Sequence, residues 1–357
     1  MVPARMGSQR LKQKNLMPLR GVPLIAHAIR KCREAGVFDD VFVNSEHEDF
    51  ARIAAQEGVK FHKRPDELAN NVATSEQFVA EFLEAHPCDY VFQVHSIAPL
   101  LTVKDLKAFV AEIEAGAVPR PDLAVYVEPT QLNVYAAQMG FLICDIAIAG
   151  RSAYFGVPEL GLDALKAGHA VLAALWAHSA ALETLAPHPL VGRPFLLVTE
   201  VQAGGYIAVP GECRISLILK LIPGQSLDEG KAALEAAVRA APVEAGIEIA
   251  FAYPAGRDHA LGGTPTETDV AGPLVTKLTQ AVRSVRPDRG LVEGAPYWSE
   301  APFFATRLGV PTVYCAPGDI RNCHTLEERV ELKEYFDGIV AFAAFLADLA
   351  EDTGGAS

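Results

Sequence analysis

Two short stretches carry residues that could do chemistry. The first, "PARMGSQRLKQKN", gathers Arg5, Arg10, Lys12 and Lys14 around Gly7 and Ser8. Glycine lets backbone amides approach an anion while flanking cations neutralise it, an arrangement suited to a polyphosphate; the alternative is a solvated basic loop. Far downstream, "PGDIRNCHTLEERVEL" sets His324 after a Pro-Gly turn, and "VEPT" ends a strand on Glu128. Imidazole and carboxylate both ligate zinc, although a lone glutamate or histidine is more often structural.

The elements that must position these residues read as two textures. Up to about Gly116, short runs such as "DDVFVNS", "VKFH" and "DYVFQVHS" alternate with amphipathic stretches such as "PLIAHAIRKCREAG" and "EDFARIAAQEG". That alternation predicts βαβ units and a parallel sheet. Its first strand is nearly absent, because only Met1 and Val2 precede the Pro-Ala-Arg turn. A Pro- and Gly-rich junction falls near residues 116–122, followed by a buried-looking strand, "DLAVYVEPT". A strand, helix, strand, strand, helix, strand order then predicts a two-layer βαββαβ module, with its long helix at about Leu162–Leu185. Beyond Thr264 the alternating grammar returns: helices through "DVAGPLVTKLTQAVRSV" and "APFFATRLG", strand "PTVYCAP", and a closing helix from about Lys333.

Composition narrows the partners. In 357 residues, an apolar half and 21% charged residues predict compact globular folding. The net charge of −13 disfavours nucleic acid and anionic membranes, so any anionic ligand must be met by a local basic cluster. The six cysteines are scattered, with no CxxC pair and no leader ahead of them, which predicts reduced thiols and a cytoplasmic location. No apolar run reaches the length of a spanning helix.

The opening stretch resembles the acylneuraminate (CMP-sialic acid) cytidylyltransferases, whose motif [IV]-P-A-R-x-G-S-x-R-x-x-x-K-N is met by Pro3, Ala4, Arg5, Gly7, Ser8, Arg10, Lys14 and Asn15. The similarity continues through "PLIAHAI", "KRPDELANNVATSE" and "DYVFQVHSIAPLLT". The resemblance implies that Arg5, Ser8, Arg10 and Lys14 face the phosphates of CTP and that Asn15 contacts the nucleotide. It further implies that Arg64 and Ser75 fix cytosine and phosphate, that Gln93 and Ser96 line the ribose and acceptor side, and that Mg²⁺ accompanies CTP. "QVHSIAPL" departs from the commoner Q-P-T-S-P-L and sets His95 beside this pocket. After Gly116 nothing resembles the acceptor half of that family.

From "VEPT" onward the chain resembles the dinuclear-zinc aminoacylase and deacylase family, which includes acetylornithine deacetylase, succinyl-diaminopimelate desuccinylase and carboxypeptidase G. The E-P-T strand end, an inserted βαββαβ module and a returning "APGDIRNCHTLEE", where the family has G-P-G-x-x-x-x-A-H-x-x-x-E, occur in that order. The resemblance implies Glu128 and His324 as metal ligands, with Tyr154, Lys220, Ser299 and Glu300 at the substrate pocket. Tyr154 stands where many members have a histidine, and Lys220 where they have an arginine that grips a substrate carboxylate. The remaining ligands and the general base come from the half before E-P-T, which the cytidylyltransferase-like segment replaces here, so the zinc site is expected to be incomplete. The only H-x-D in the first part, His47 to Asp49, reads as a helix N-terminus.

The expected fold class is therefore α/β: a truncated Rossmann-like nucleotidyltransferase segment joined to a metallohydrolase segment with an inserted dimerisation domain. The expected domains are 1–116, a CTP-binding segment; 117–140, junction and metallohydrolase strand; 141–255, a dimerisation domain; and 256–357, the end of the metallohydrolase domain. The function this implies is a fusion-type protein that binds CTP and a sugar acid or acyl-amino acid, homodimeric through 141–255, with neither catalytic site complete. Two other readings stand beside it: a zinc-dependent deacylase or peptidase completed in trans, and a non-catalytic dimeric product of gene rearrangement.

Overall fold

A computed structural model describes residues 1–7, 13–70, 73–116, 120–323 and 325–354, with side chains to Glu351. The chain divides into two compact units, Met1–Pro119 with His324–Glu328, and Arg120–Cys323 with Arg329–Ser357. Each is described in turn.

In the first unit, β1 (Val2–Pro3) is two residues long because proline in the Pro-Ala-Arg turn removes a ladder donor. A small hairpin, β2 (Pro18–Leu19) and β3 (Val22–Pro23), leads into α1 (Leu24–Ala35). Ile25, Ala28, Ile29 and Cys32 form the buried stripe of α1, and Gly36 stops it in the left-handed region at φ 62°. Then come β4 (Phe42–Ser45), α2 (Glu48–Gln56) and β5 (Lys60–Lys63). His47 is the N-cap of α2, its Nδ1 accepting from the Asp49 amide at 3.2 Å. The strands form a parallel sheet in the order β1-β4-β5. Two capping boxes start the remaining helices: Thr74 with Gln77 for α3 (Ser75–Ala85), and Thr102 with Asp105 for α4 (Val103–Glu114).

"DYVFQVHS" differs from its reading as a strand. It runs beside β1, joined by the Met1 amino group donating to the Phe92 carbonyl and the Val94 amide donating to the Met1 carbonyl, but β1 is too short to build a ladder with it. The core of this unit is Val2, Ile25, Ile29, Val43, Phe50 and their neighbours.

The second unit opens with β6 (Ala124–Tyr126) and β7 (Val134–Gln138). Next come β8 (Gly140–Ala149), α5 (Ala164–Glu183), β9 (Phe195–Ala203), β10 (Glu212–Leu221), α6 (Leu227–Arg239) and β11 (Glu248–Ala252), the expected βαββαβ order. These strands form an antiparallel sheet in the order β11-β8-β10-β9, with β12 (Gly262–Gly263) added against β8. Side chains alternate, so Leu142, Cys144, Ile146, Ile215, Leu217 and Leu219 bury against α5 and α6. Gly168 allows α5 to sit this close, since a Cβ there would meet the Cys213 sulfur at 2.5 Å.

The unit closes with β13 (Thr266–Glu267), α7 (Pro273–Val285), β14 (Val292–Ala295), β15 (Thr312–Tyr314) and α8 (Leu332–Gly354). β15 joins β6 in parallel and β7 in antiparallel, while β14 runs parallel to β7. Leu132, Val134, Leu278, Val282, Val313 and Phe345 form the core under α7 and α8. "APFFATRLG" holds a wide π-helical turn at Phe303–Arg307 rather than a regular helix. β6, which reads as buried, is a half-buried edge that pairs only with β15 among the described residues.

Candidate functional site

In the first unit the carboxyl ends of β1, β4 and β5 lie side by side, where open parallel sheets present their ligand sites. Arg64 follows β5 and is only 3% exposed. Its Nε donates to Asn44 Oδ1 at 2.6 Å, its Nη2 donates to the Asn44 carbonyl at 2.9 Å, and its guanidinium stacks 4.1 Å from the Phe78 ring centroid. Burial lowers its pKa to about 10, opposed by Glu46 and Glu81 and reinforced by Arg5. The charge survives at neutral pH; its hydrogen bonds go to neutral oxygens, and Glu46 and Glu81 act on it without an ion pair among the described residues.

Asn15 is buried just after Gln13, which sits in the left-handed region at φ 54°. Ser96 Oγ donates to Asn15 Oδ1 at 2.6 Å and Asn15 Nδ2 donates to the Arg5 carbonyl at 3.4 Å, tying the basic turn to the segment that carries His95. The His95 imidazole is held below its ordinary pKa, first by desolvation and then by Lys14. Arg5 donates to the Asn70 carbonyl at 2.6 Å. The structure thus links Arg5, Lys14, Asn15, Ser96 and His95, and sets Arg5 near Arg64. Ser75 is exposed in the first turn of α3, and Gln93 is exposed beside β1. Ser8 and Arg10 lie outside the described residues.

Asn44 and Phe78 were not singled out from the sequence, although they hold the buried cation. A polar residue inside the apolar strand "VFVNS" was the available signal for Asn44.

In the second unit Glu128 follows β6, and Ser299 Oγ lies 3.0 Å from Glu128 Oε1 and 2.7 Å from Glu300 Oε2. Gln138, fully buried at the end of β7, accepts from the Ser299 amide at 3.1 Å and from the Tyr314 hydroxyl. Tyr126, Tyr135, Tyr297 and Tyr314 pack below, ring centroids 5.8–6.4 Å apart in successive pairs. Burial is the first cause raising the pKa of each. The Tyr297 hydroxyl is buried without a hydrogen-bond partner among the described residues. Gln138 and the tyrosines also escaped the sequence reading; "AAQMG" hides its glutamine among small and apolar residues.

His324 lies outside the described residues. Among the described residues no three His, Cys, Asp or Glu side chains are grouped to hold a metal. Glu128 and Glu300 share a serine hydroxyl, so the described residues offer two carboxylates here, fewer donors than a zinc centre needs. Tyr154 is exposed and stacks on Phe155 at 4.4 Å. Lys220 is buried on β10 between its strand partners, Phe141 of β8 and Phe195 of β9.

Residues 1–141 match the cytidylyltransferase family. The chain is 36% identical over 104 residues to N-acylneuraminate cytidylyltransferase A of Danio rerio, covering 29% of this chain and 24% of that protein. It is 32% identical over 112 residues to the pseudaminic acid cytidylyltransferase of Campylobacter jejuni, covering 30% of this chain and 48% of that protein. The match thus spans a quarter to a half of these relatives.

Among solved structures, the chain is similar to aminopeptidase PepT of Bacillus cereus, with TM-score 0.50 and 14% identity over 67% of this chain and 61% of that one. An M20 family metallo-carboxypeptidase of Sulfolobus solfataricus gives TM-score 0.50 and 15% identity, over 68% and 66%. The protein is a two-part α/β chain, cytidylyltransferase-like at its start and sharing the M20 peptidase fold over about two-thirds of its length. No described helix is long and apolar enough to cross a membrane.

Proposed function

We propose that the protein is a fusion-type nucleotide-binding protein whose first segment, 1–116, binds CTP and whose remainder is a metallohydrolase scaffold without a working metal centre. The observation that carries this reading is the buried Arg64 at the ends of the parallel strands, which has no ion pair among the described residues, with Arg5 near it. Arg5, Ser8, Arg10 and Lys14 take the phosphates, Asn15 and Ser96 the nucleoside side with Gln93, and Arg64 and Ser75 the cytosine and a phosphate. The acceptor on the cytidylyltransferase side is a sugar acid. The donor set here is cationic and amide, with no acidic cluster among the described residues, so Mg²⁺ enters as the counterion of the nucleotide.

In the scaffold, 117–140 is a junction, 141–255 a dimerisation domain and 256–357 the closing part of the metallohydrolase fold. Homodimerisation through 141–255 is supported by the edge strand β9, which exposes Phe195, Leu197 and Val201. Glu128 and Glu300 are held by Ser299 rather than offered to zinc.

Calorimetric titration of Mg²⁺-CTP into the full chain tests the first segment. Binding heat is expected and should vanish in an Arg10→Ala, Lys14→Ala double variant; heat that ignores the substitutions overturns the reading. For the scaffold, metal analysis of protein purified without chelator should find zinc well below one per chain. Stoichiometric zinc lost on His324→Ala would instead establish a metallohydrolase.

A further inference from the structure

We propose that Lys220 is a nucleophilic amine that captures small aromatic aldehydes as an imine on the open face of the β8–β11 sheet. This inference stands apart from CTP binding. Alternation along β8 and β10 sends Leu142, Cys144, Leu219 and Leu221 into the core with α5 and α6, so Phe141 and Lys220 take the other face. There Lys220 is directly opposite Phe141 on one side and Phe195 on the other. It is 9% exposed, its Nζ lies 5.8 Å from the Phe141 ring centroid, and among the described residues it has no hydrogen bond and no ion pair.

A Trp298 edge extends the wall. Its ring lies 5.7 Å from that of Phe141, and its Nε1 donates to the Thr264 carbonyl at 3.2 Å. Gly263 makes the approach possible, since a Cβ there would meet Trp298 Nε1 at 2.3 Å. Phe195, its neighbour on the edge strand, is 43% exposed.

Burial without a counter-ion favours the neutral amine, and the Lys220 pKa falls to about 8 with desolvation as its cause. The charged groups along this face are turned to other partners: Asp145 of β8 accepts from Ser216 of β10 at 2.7 Å, while Arg214 lies 3.9 Å from Glu212. On β9 Glu200 accepts from Gln202. On the loop before β12 His259 lies 3.6 Å from Asp228.

An aromatic wall around a lysine that loses its proton more readily than its exposed counterparts suits an aromatic ring bearing a carbonyl. The Nζ lone pair adds to the carbonyl carbon to give a carbinolamine. The carbonyl oxygen then leaves as water with the two amine hydrogens, and the C=N bond remains. No oxidant or reductant is consumed.

The test treats the full chain with benzaldehyde and cyanoborohydride between pH 6 and 10 and maps the benzylated lysines by peptide mass spectrometry. Lys220 should label about a hundredfold faster at pH 8 than exposed lysines such as Lys107, because an ordinary lysine near pKa 10.4 is almost wholly charged there. Its rate should reach half its maximum near pH 8. Equal labelling at Lys220 and Lys107, or a rate still rising steeply above pH 9, overturns the proposal. Protection by benzoate also overturns it, since that outcome marks a charged amine holding an anion. The distribution in the unaltered chain decides the matter whether or not Lys220→Arg folds.

Discussion

Each region of this molecule buries a cation, and the two are treated differently. Arg64 in the first unit gives two hydrogen bonds to Asn44 and stacks on Phe78, so it remains a cation at neutral pH. Lys220 in the second unit has phenylalanines on both sides and no acceptor among the described residues, and desolvation lowers its pKa to about 8. The two pKa values fall by similar amounts, so Arg64, which starts from the higher value, stays charged well above neutral pH while Lys220 begins to lose its proton near pH 8. The deciding quantity is the intrinsic basicity of the buried group, since desolvation is the first cause of the shift in both.

The largest test of that contrast is Arg64→Gln. It removes the group that satisfies both Asn44 oxygens and should destabilise the first unit by about 3 kcal/mol, seen as faster hydrogen exchange in β4 and β5. Arg64→Lys keeps the charge and should recover only part of that loss; full recovery would mean that charge alone matters.

Lys220→Met should act in the opposite direction. Between about pH 8 and the ordinary lysine value near 10.4, the unfolded chain holds a proton that the folded chain has released, so the Lys220 contribution to stability rises with pH across that window. Below it both states are charged and the burial penalty is full. The methionine variant should therefore be about 2 kcal/mol more stable at pH 7 and no more stable than the parent above pH 10. Trp176 and Trp298 both lie in the second unit, so urea unfolding followed by tryptophan fluorescence reads the effect there. A difference that does not change with pH would break the comparison.

Smaller effects sharpen it. Ser299→Ala removes the hydroxyl between Glu128 and Glu300 and should cost the second unit about 1 kcal/mol by the same fluorescence measurement, with CTP heats unaltered. Stabilisation instead would show that repulsion between the carboxylates dominates. Thr74→Ala, which breaks the α3 capping box, should cost the first unit somewhat less, about 0.5–1 kcal/mol, and weaken exchange protection near Ser75.

Much of the fold was legible because its signals are local. Period-3.6 stripes marked α1 and α2, S/T-x-x-[DEQ] patterns stand at the starts of α3 and α4, and strand and helix textures gave the βαββαβ order. The reading failed where pairing depends on distant chain. "DYVFQVHS" has strand composition, but its neighbour β1 has two residues to offer. β6 reads as buried by its apolar run and lies at an edge. Among the site residues, Arg5 and Lys14 were marked by the clustering of cations and Asn15 by the cytidylyltransferase resemblance, whereas Asn44, Phe78, Gln138 and the tyrosines below Glu128 were not, since each acts through a partner remote in sequence.

The sequence by itself determined that cations cluster at the start of this acidic chain, that a carboxylate ends the strand at Glu128, and that the chain changes texture near residue 120. These follow from residue type and spacing alone. Only the tertiary structure decided which charges are matched. Ser299 reaches Glu128 across 171 positions, Asn44 reaches Arg64 across 20, and β8 and β9 deliver a phenylalanine to each side of Lys220. Protonation and reactivity depend on burial and on the partners that folding supplies, and those are set by strand register and packing rather than by neighbours along the chain.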